Sequence, residues 1–151
     1  MASPEAAAAA VPDGFQPLRR GGPFLRSLGP LYYRQDGDRI VVALRVDEQH
    51  LNTRAIAHGG MLVTLADSAL GIVLSMSRAP PHPMVTVSLT TDFLEPARLG
   101  DWLEAHVEIE RVGARLAFAR CHLAVGERRV LRASGVFALV APHRPKEDFE
   151  G

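Results

Sequence analysis

The apolar positions of the chain change period twice, and those changes mark out its elements. Leu31–Asp36 and Arg39–Val46 (RIVVALRV) are short runs rich in aromatic, Val and Ile residues, separated by Gly37-Asp38. Two such runs around a two-residue turn predict a β-hairpin. From His58 to Ser77 the pattern becomes a long, nearly continuous apolar run, HGGMLVTLADSALGIVLSMS. A helix that is apolar on every side is buried, in a bilayer or in a protein core. The run approaches the roughly 20 residues of a membrane span. However, Asp67 lies inside it among Thr64, Ser68, Ser75 and Ser77, and β-type segments flank it. A core helix wrapped by a sheet is the better fit. Pro80, Pro81 and Pro83 follow, and proline cannot continue a helix.

Alternation then returns. Met84–Phe93 is β-branched. Trp102–Val112 places Leu103, Ala105, Val107 and Ile109 on one face, with Trp102, Glu104, His106, Glu108 and Glu110 on the other. Period two with one charged face predicts a half-buried antiparallel strand. Gly113 turns the chain into Leu116–Val125, and Gly126-Glu127 turns it into Arg129–Val140. The predicted class is α+β: two strands, one long helix, then four strands in meander, with an antiparallel sheet of about six strands curled around the helix. Its outer face and edges invite dimerisation. Pro12–Pro30 carries too many Gly and Pro for long regular structure, apart from a short helical turn at Phe24–Leu28. Residues 1–22 read as a flexible N-terminal tail, 23–141 as the domain and 142–151 as a polar C-terminal tail.

Composition narrows the possibilities. At 151 residues and 47% hydrophobic content the chain makes one domain with a substantial core. Seventeen basic residues balance seventeen acidic ones, so charge gives no case for nucleic-acid or membrane partners. The single cysteine, Cys121, excludes an internal disulfide and a cysteine-rich zinc site, and suits a reducing compartment. The start, MASPEAAAAAVP, lacks the positive region and strong apolar stretch of a signal peptide. A cytoplasmic protein is expected. The histidines show no metal-ligand spacing, and no metal or cofactor is called for.

Asp67 is the first candidate for chemistry, because an ionised carboxylate in an apolar helix is costly unless it is paired or working. Gly59 and Gly60 open the same helix. They suit close approach of a ligand to a helix N-terminus, where unpaired N–H groups favour negative charge. Gly60 and Ser68, the neighbours of these two residues, are counted with the substrate contacts. Each residue also has an ordinary explanation: a carboxylate bonded to a nearby Ser or Thr, glycines that permit tight packing.

Taken together, Asn52, His58-Gly59-Gly60, Leu65-Ala66-Asp67, Val87-Ser88 and the downstream LEPARLGD resemble the hotdog-fold acyl-CoA thioesterases. The branch it resembles most is the PaaI-like (phenylacetic-acid-pathway) one, related to the 4-hydroxybenzoyl-CoA thioesterases. The resemblance covers roughly residues 23–140. It implies a hotdog fold and homodimers with sites at the interface, often assembled as dimers of dimers (homotetramers). It also implies hydrolysis of an acyl- or aryl-CoA thioester to free acid and coenzyme A. Carried over, it makes Asp67 the catalytic carboxylate, as general base or nucleophile, and Gly59 the amide that polarises the carbonyl. Asn52 and Ser88 become polar residues placing the water or carboxylate, and His58 the motif histidine. As ordinary residues, Asn52 would cap a turn and Ser88 would be a plain strand serine. Arg111, Arg115, Arg128, Arg129 and Arg132 gather near the last strands. Arg suits phosphate, and in similar thioesterases the nucleotide lies near the equivalent of the Arg111–Arg115 turn.

Geometry adds a constraint. Gly59 and Asp67 are eight residues apart on one helix, about 12 Å at 1.5 Å per residue. Both cannot touch one carbonyl unless they come from different subunits. Three other readings compete. In a non-catalytic acyl-CoA-binding hotdog protein, Asp67 would only weaken apolar binding. A hotdog enoyl-CoA hydratase would need a differently spaced Asp and His pair, which is not found. A structural assembly protein would need neither the glycine turn nor Asp67.

Overall fold

The computed structural model describes residues 11–142. Residues 1–10 and 143–151, which fall in the two stretches read as tails, lie outside the described residues. The elements in order are β1 (Gln16–Pro17), α1 (Gly22–Arg26), β2 (Tyr32–Asp36), β3 (Arg39–Arg45), a 3-10 turn (Glu48–His50), α2 (Gly59–Met76), β4 (Met84–Phe93), β5 (Trp102–Val112), β6 (Leu116–Val125) and β7 (Arg128–Leu139). The strands form one antiparallel sheet in the order β1-β2-β3-β5-β6-β7-β4, and α2 packs against β3 to β7. This is the hotdog arrangement.

The sheet has seven strands, not about six. The additional strand is β1, whose Gln16 and Pro17 pair with Tyr33 and Tyr32. It lies within the stretch read as tail. Phe15 beside it is buried and meets Trp102 edge-on at 5.1 Å, while Tyr32 packs on the same indole. A small second core with Val41 and Ala43 therefore covers part of the sheet's outer face. The main core lies between sheet and helix. Leu62, Leu65, Ala66, Ala69, Leu70 and Leu74 of α2 face Ala105, Ala117, Ala119 and Ala133 of the strands. Small strand residues let the helix sit close to the sheet. Gly135 takes this furthest: a Cβ there would lie 2.7 Å from the Phe137 ring and 3.1 Å from Leu70.

Two expectations require correction. The last four strands are not a meander: β5, β6 and β7 are, but β4 lies beyond β7 at the sheet edge, pairing along it from Met84↔Leu139 to Phe93↔Leu131. The helix crosses the sheet and delivers the chain to the far side. The return segment 94–101 then runs back across the end of the sheet. It binds the Val130 carbonyl through Leu94 N, the loop before α2 through Ala57 N to Ala97 O at 2.8 Å, and β3 through Val46 N to Asp101 O. Secondly, α2 is not enclosed on every side. Met61, Leu62, Leu65, Ala66, Ala69, Leu70, Val73 and Leu74 are buried, but Val63, Thr64, Asp67, Ser68, Gly71 and Ile72 are only partly so. By length and composition α2 could cross a membrane, but its apolar stripe is occupied by the sheet.

Candidate active site

The start of α2 is braced from two directions. His50, buried in the 3-10 turn, accepts from Asp47 N at Nδ1 (2.9 Å), so its Nε2 is the donor to the Leu28 carbonyl at 2.6 Å. Its own carbonyl accepts from His58 N at 2.7 Å. The chain after α1, the turn and the helix N-terminus are thus joined through one residue. Asn52 shapes the loop between turn and helix: its Oδ1 accepts from Arg54 N at 2.9 Å and Ile56 N at 3.4 Å. This is the turn-capping geometry that asparagine favours.

A helix leaves its leading amides without intrahelical partners. Here the His58 amide is taken by His50, and the Gly60 amide by His58 Nδ1 at 2.8 Å. Met61 N and Leu62 N both reach the His58 carbonyl. Among the described residues, this leaves Gly59 as the leading amide with no partner. Gly59 itself packs under Phe93, whose ring would stand 3.1 Å from a Cβ there. His58 is therefore the N-cap of α2, and Gly60 does not offer its amide to a ligand.

Asp67 lies on the partly exposed side of the helix, in line with Gly60 and Thr64. It is not walled off within this chain. Its Oδ1 accepts a 2.6 Å hydrogen bond from Thr86 Oγ1 on β4, which leaves Oδ2 available. Thr86 was not singled out from the sequence, where Ser88 held that place. The reason is a bulge: the β4–β7 register shifts between Thr86↔Phe137 and Ser88↔Val136. Residues opposite one another across a sheet share a face. Thr86 shares the helix side with buried Phe137, whereas Ser88 shares the outer side with Val136. Ser88 is thus turned away from Asp67. Ser68, next to Asp67, is half-buried on the same flank of α2.

The arginines do not form one cluster. Arg111 and Arg115 flank the β5–β6 turn, whereas Arg128 and Arg129 lie at the β6–β7 turn, at the other end of β6. Ten residues of strand separate these ends, or about 30 Å. Arg128 meets Glu95 and Asp101, and Arg132 meets Asp92. Arg111 and Arg115 are exposed and form no ion pair among the described residues. Arg78, just past α2, donates to the Gly113 carbonyl in the same turn at 3.1 Å. A cavity of about 660 Å³ opens there, between the end of α2 and Ile109 and Val112 of β5.

A second cavity, of about 450 Å³, opens at the other end of α2. Its walls include Phe24 of α1, Leu28 just past α1, Leu51, Met61, and the two residues either side of Gly59, His58 and Gly60. Cys121 is a core residue, and burial pushes its thiol up to about 12. Among the described residues no group of three or more His, Cys, Asp or Glu is placed to hold a metal ion.

Known proteins match this chain along most of its length. The family model described as thioesterase superfamily matches residues 55–131, just over half of the chain. A Pseudomonas aeruginosa protein named as an esterase is 56% identical over 85% of this chain and 97% of its own length. Mouse acyl-coenzyme A thioesterase 13 is 31% identical over 57% of this chain and 61% of that protein. Among solved structures, a mutant of the phenylacetic acid degradation protein PaaI from Thermus thermophilus superposes with a TM-score of 0.69. It is 28% identical, over 78% of this chain and 99% of its own. The chain belongs to the thioesterase superfamily, as a PaaI-like hotdog thioester hydrolase.

Proposed function

We propose that the protein hydrolyses acyl-CoA thioesters to the free acid and coenzyme A, at two equivalent sites shared between the subunits of a homodimer. The observation that carries this reading is Asp67, held at one oxygen by Thr86 and open at the other. The name of the mouse relative, an acyl-coenzyme A thioesterase, supports the substrate class. In the proposed reaction the thioester carbonyl docks on the Gly59 N–H, the unpartnered amide at the positive end of α2. Negative charge building on the oxygen is stabilised there. Oδ2 of the partner's Asp67 takes a proton from a water attacking the carbonyl carbon, or attacks that carbon itself to give a mixed anhydride that water then opens. Either way a C–O bond replaces the C–S bond, and the thiolate leaves to take up a proton. His58 keeps the Gly60 amide occupied and the helix start in register, Asn52 holds the approach loop, and Ser68 borders the reacting group. Arg111 and Arg115 supply guanidinium groups for the nucleotide phosphates.

Two features support the dimer. Gly59 and Asp67 stand about 12 Å apart along one helix, too far to serve one carbonyl. In addition β4 is an edge strand with Val85 and Val87 half or more open to solvent. Natural sheets seldom leave so apolar an edge uncovered.

The test is thiol release from acyl-CoAs of varied chain length by wild type, Asp67→Asn and Gly59→Val, alone and as verified mixed dimers. Each variant alone should lose most turnover. The mixed dimer keeps one intact site of its two, so it should regain up to about half of the wild-type rate. Wild-type turnover by Asp67→Asn, or no recovery in mixed dimers, would overturn the reading.

A further inference from the structure

We infer that the cavity between α1 and the start of α2 is the subsite for the acyl group, and that Phe24 sets the length of acyl chain it admits. The inference rests on the Gly59 oxyanion reading above. The cavity begins beside the proposed carbonyl position, since His58 and Gly60 both line it. Its apolar wall is Leu28, Leu51 and Met61, and its remaining lining, Ser27, Gln49, His50 and Thr64, includes no Lys, Arg, Asp or Glu. Its volume of about 450 Å³ falls in the range of small-ligand sites. With no Lys or Arg to meet a second carboxylate, it suits an uncharged apolar acyl group and excludes dicarboxylic acyl groups.

Phe24 lines this space from α1. It projects from a helix of only five residues and is 68% exposed, which the packing of this chain does not explain. An apolar acyl chain in the cavity would remove part of this ring from water, which favours its binding there. The backbone that follows Phe24 is anchored, because the Leu28 carbonyl two residues past α1 is held by buried His50 and also accepts from Gln49 Nε2 at 3.4 Å. The cavity wall at Leu28 and the oxyanion donor are therefore tied to the same residue: His50 holds Leu28 on one side and His58 on the other. A bulky ring on the wall of the acyl cavity limits the chain length that fits within it.

The test compares kcat/KM across straight-chain acyl-CoAs and the matching acyl-N-acetylcysteamine thioesters, for wild type, Phe24→Ala, Phe24→Trp and Asp67→Asn. Phe24→Ala should shift the optimum to longer chains, with about a tenfold gain in the ratio of longer to shorter substrates. Phe24→Trp should shift it to shorter ones. Both shifts should persist in the N-acetylcysteamine series, which lacks the nucleotide and most of the pantetheine arm. If Asp67→Asn is inactive but both Phe24 variants keep the wild-type profile, the subsite assignment is wrong while the catalytic reading stands. If the Phe24 effect is uniform across chain lengths, or vanishes in the short thioesters, the cavity holds the pantetheine arm and the inference is overturned. Turnover retained by Asp67→Asn would instead fault the catalytic reading on which it rests.

Discussion

Thr86→Val isolates the one contact that orients the proposed catalytic carboxylate. The change removes the hydroxyl, keeps the shape and retains a β-branched residue on a strand, so the fold should tolerate it. What is lost is a 2.6 Å hydrogen bond to Asp67. Hydrogen bonds to charged groups contribute about 1.5–3 kcal/mol. At about 1.36 kcal/mol per factor of ten, that corresponds to roughly ten- to a hundredfold in rate. Asp67 is only partly buried, so water can replace part of the lost bond, and the lower figure of about tenfold is expected. The loss should fall on kcat. Thr86 holds a group that reacts rather than one that binds substrate, so KM should change little. The assay is steady-state thiol release, with the thermal midpoint measured in parallel. Thr86→Ser, which restores a hydroxyl, should recover most of the rate. Wild-type kcat in Thr86→Val, or equal losses in the Ser and Val variants with unchanged melting, would refute the role given to this contact.

Two further perturbations test the fold. Gly135→Ala places a methyl against Phe137 and Leu70, both buried in the packed core. Overpacking of this kind costs about 1–3 kcal/mol, which should lower the thermal midpoint by several degrees; an unchanged melt would show that the helix has room to lift. His122 stacks on His106 across β5 and β6 at 5.1 Å, and its pKa is lowered by burial, by Arg129 and by His106. The folded protein then takes up this proton less readily than the unfolded chain, so stability should fall as pH drops below the ordinary histidine value near 6.5. His106 is held in turn by Glu104 at 3.0 Å. A plot of melting temperature against pH should lose part of its acid limb in His122→Gln, and an identical limb in both proteins would contradict the assignment.

Features that depend on neighbours along the chain were legible before folding. The period of the apolar residues placed α2 and the strands from β2 onward within about two residues of their ends, because a side chain's direction repeats every 3.6 residues in a helix and every two in a strand. Gly37-Asp38 and Gly126-Glu127 identified two hairpins because only certain residues close tight turns. Asp67 and the paired glycines stood out because a carboxylate in an apolar helix and a bare helix start are chemically unusual wherever they occur.

Features that depend on distance needed the folded chain. Nothing in Met84–Phe93 says that it lies beside β7 rather than β5, since antiparallel pairing is open to any strand of suitable length. The bulge that gives Thr86, not Ser88, to Asp67 leaves no mark on the alternation, because it is set by the register with β7. The two-residue β1 is too short to show a period, and the contact of Phe15 beside it with Trp102 exists only in the folded chain. The arginines, close in sequence, part because a meander sends its successive turns to opposite ends of the strands. The His50 brace likewise required the fold, because its partners at Leu28 and His58 meet it only when α1 and α2 are in place.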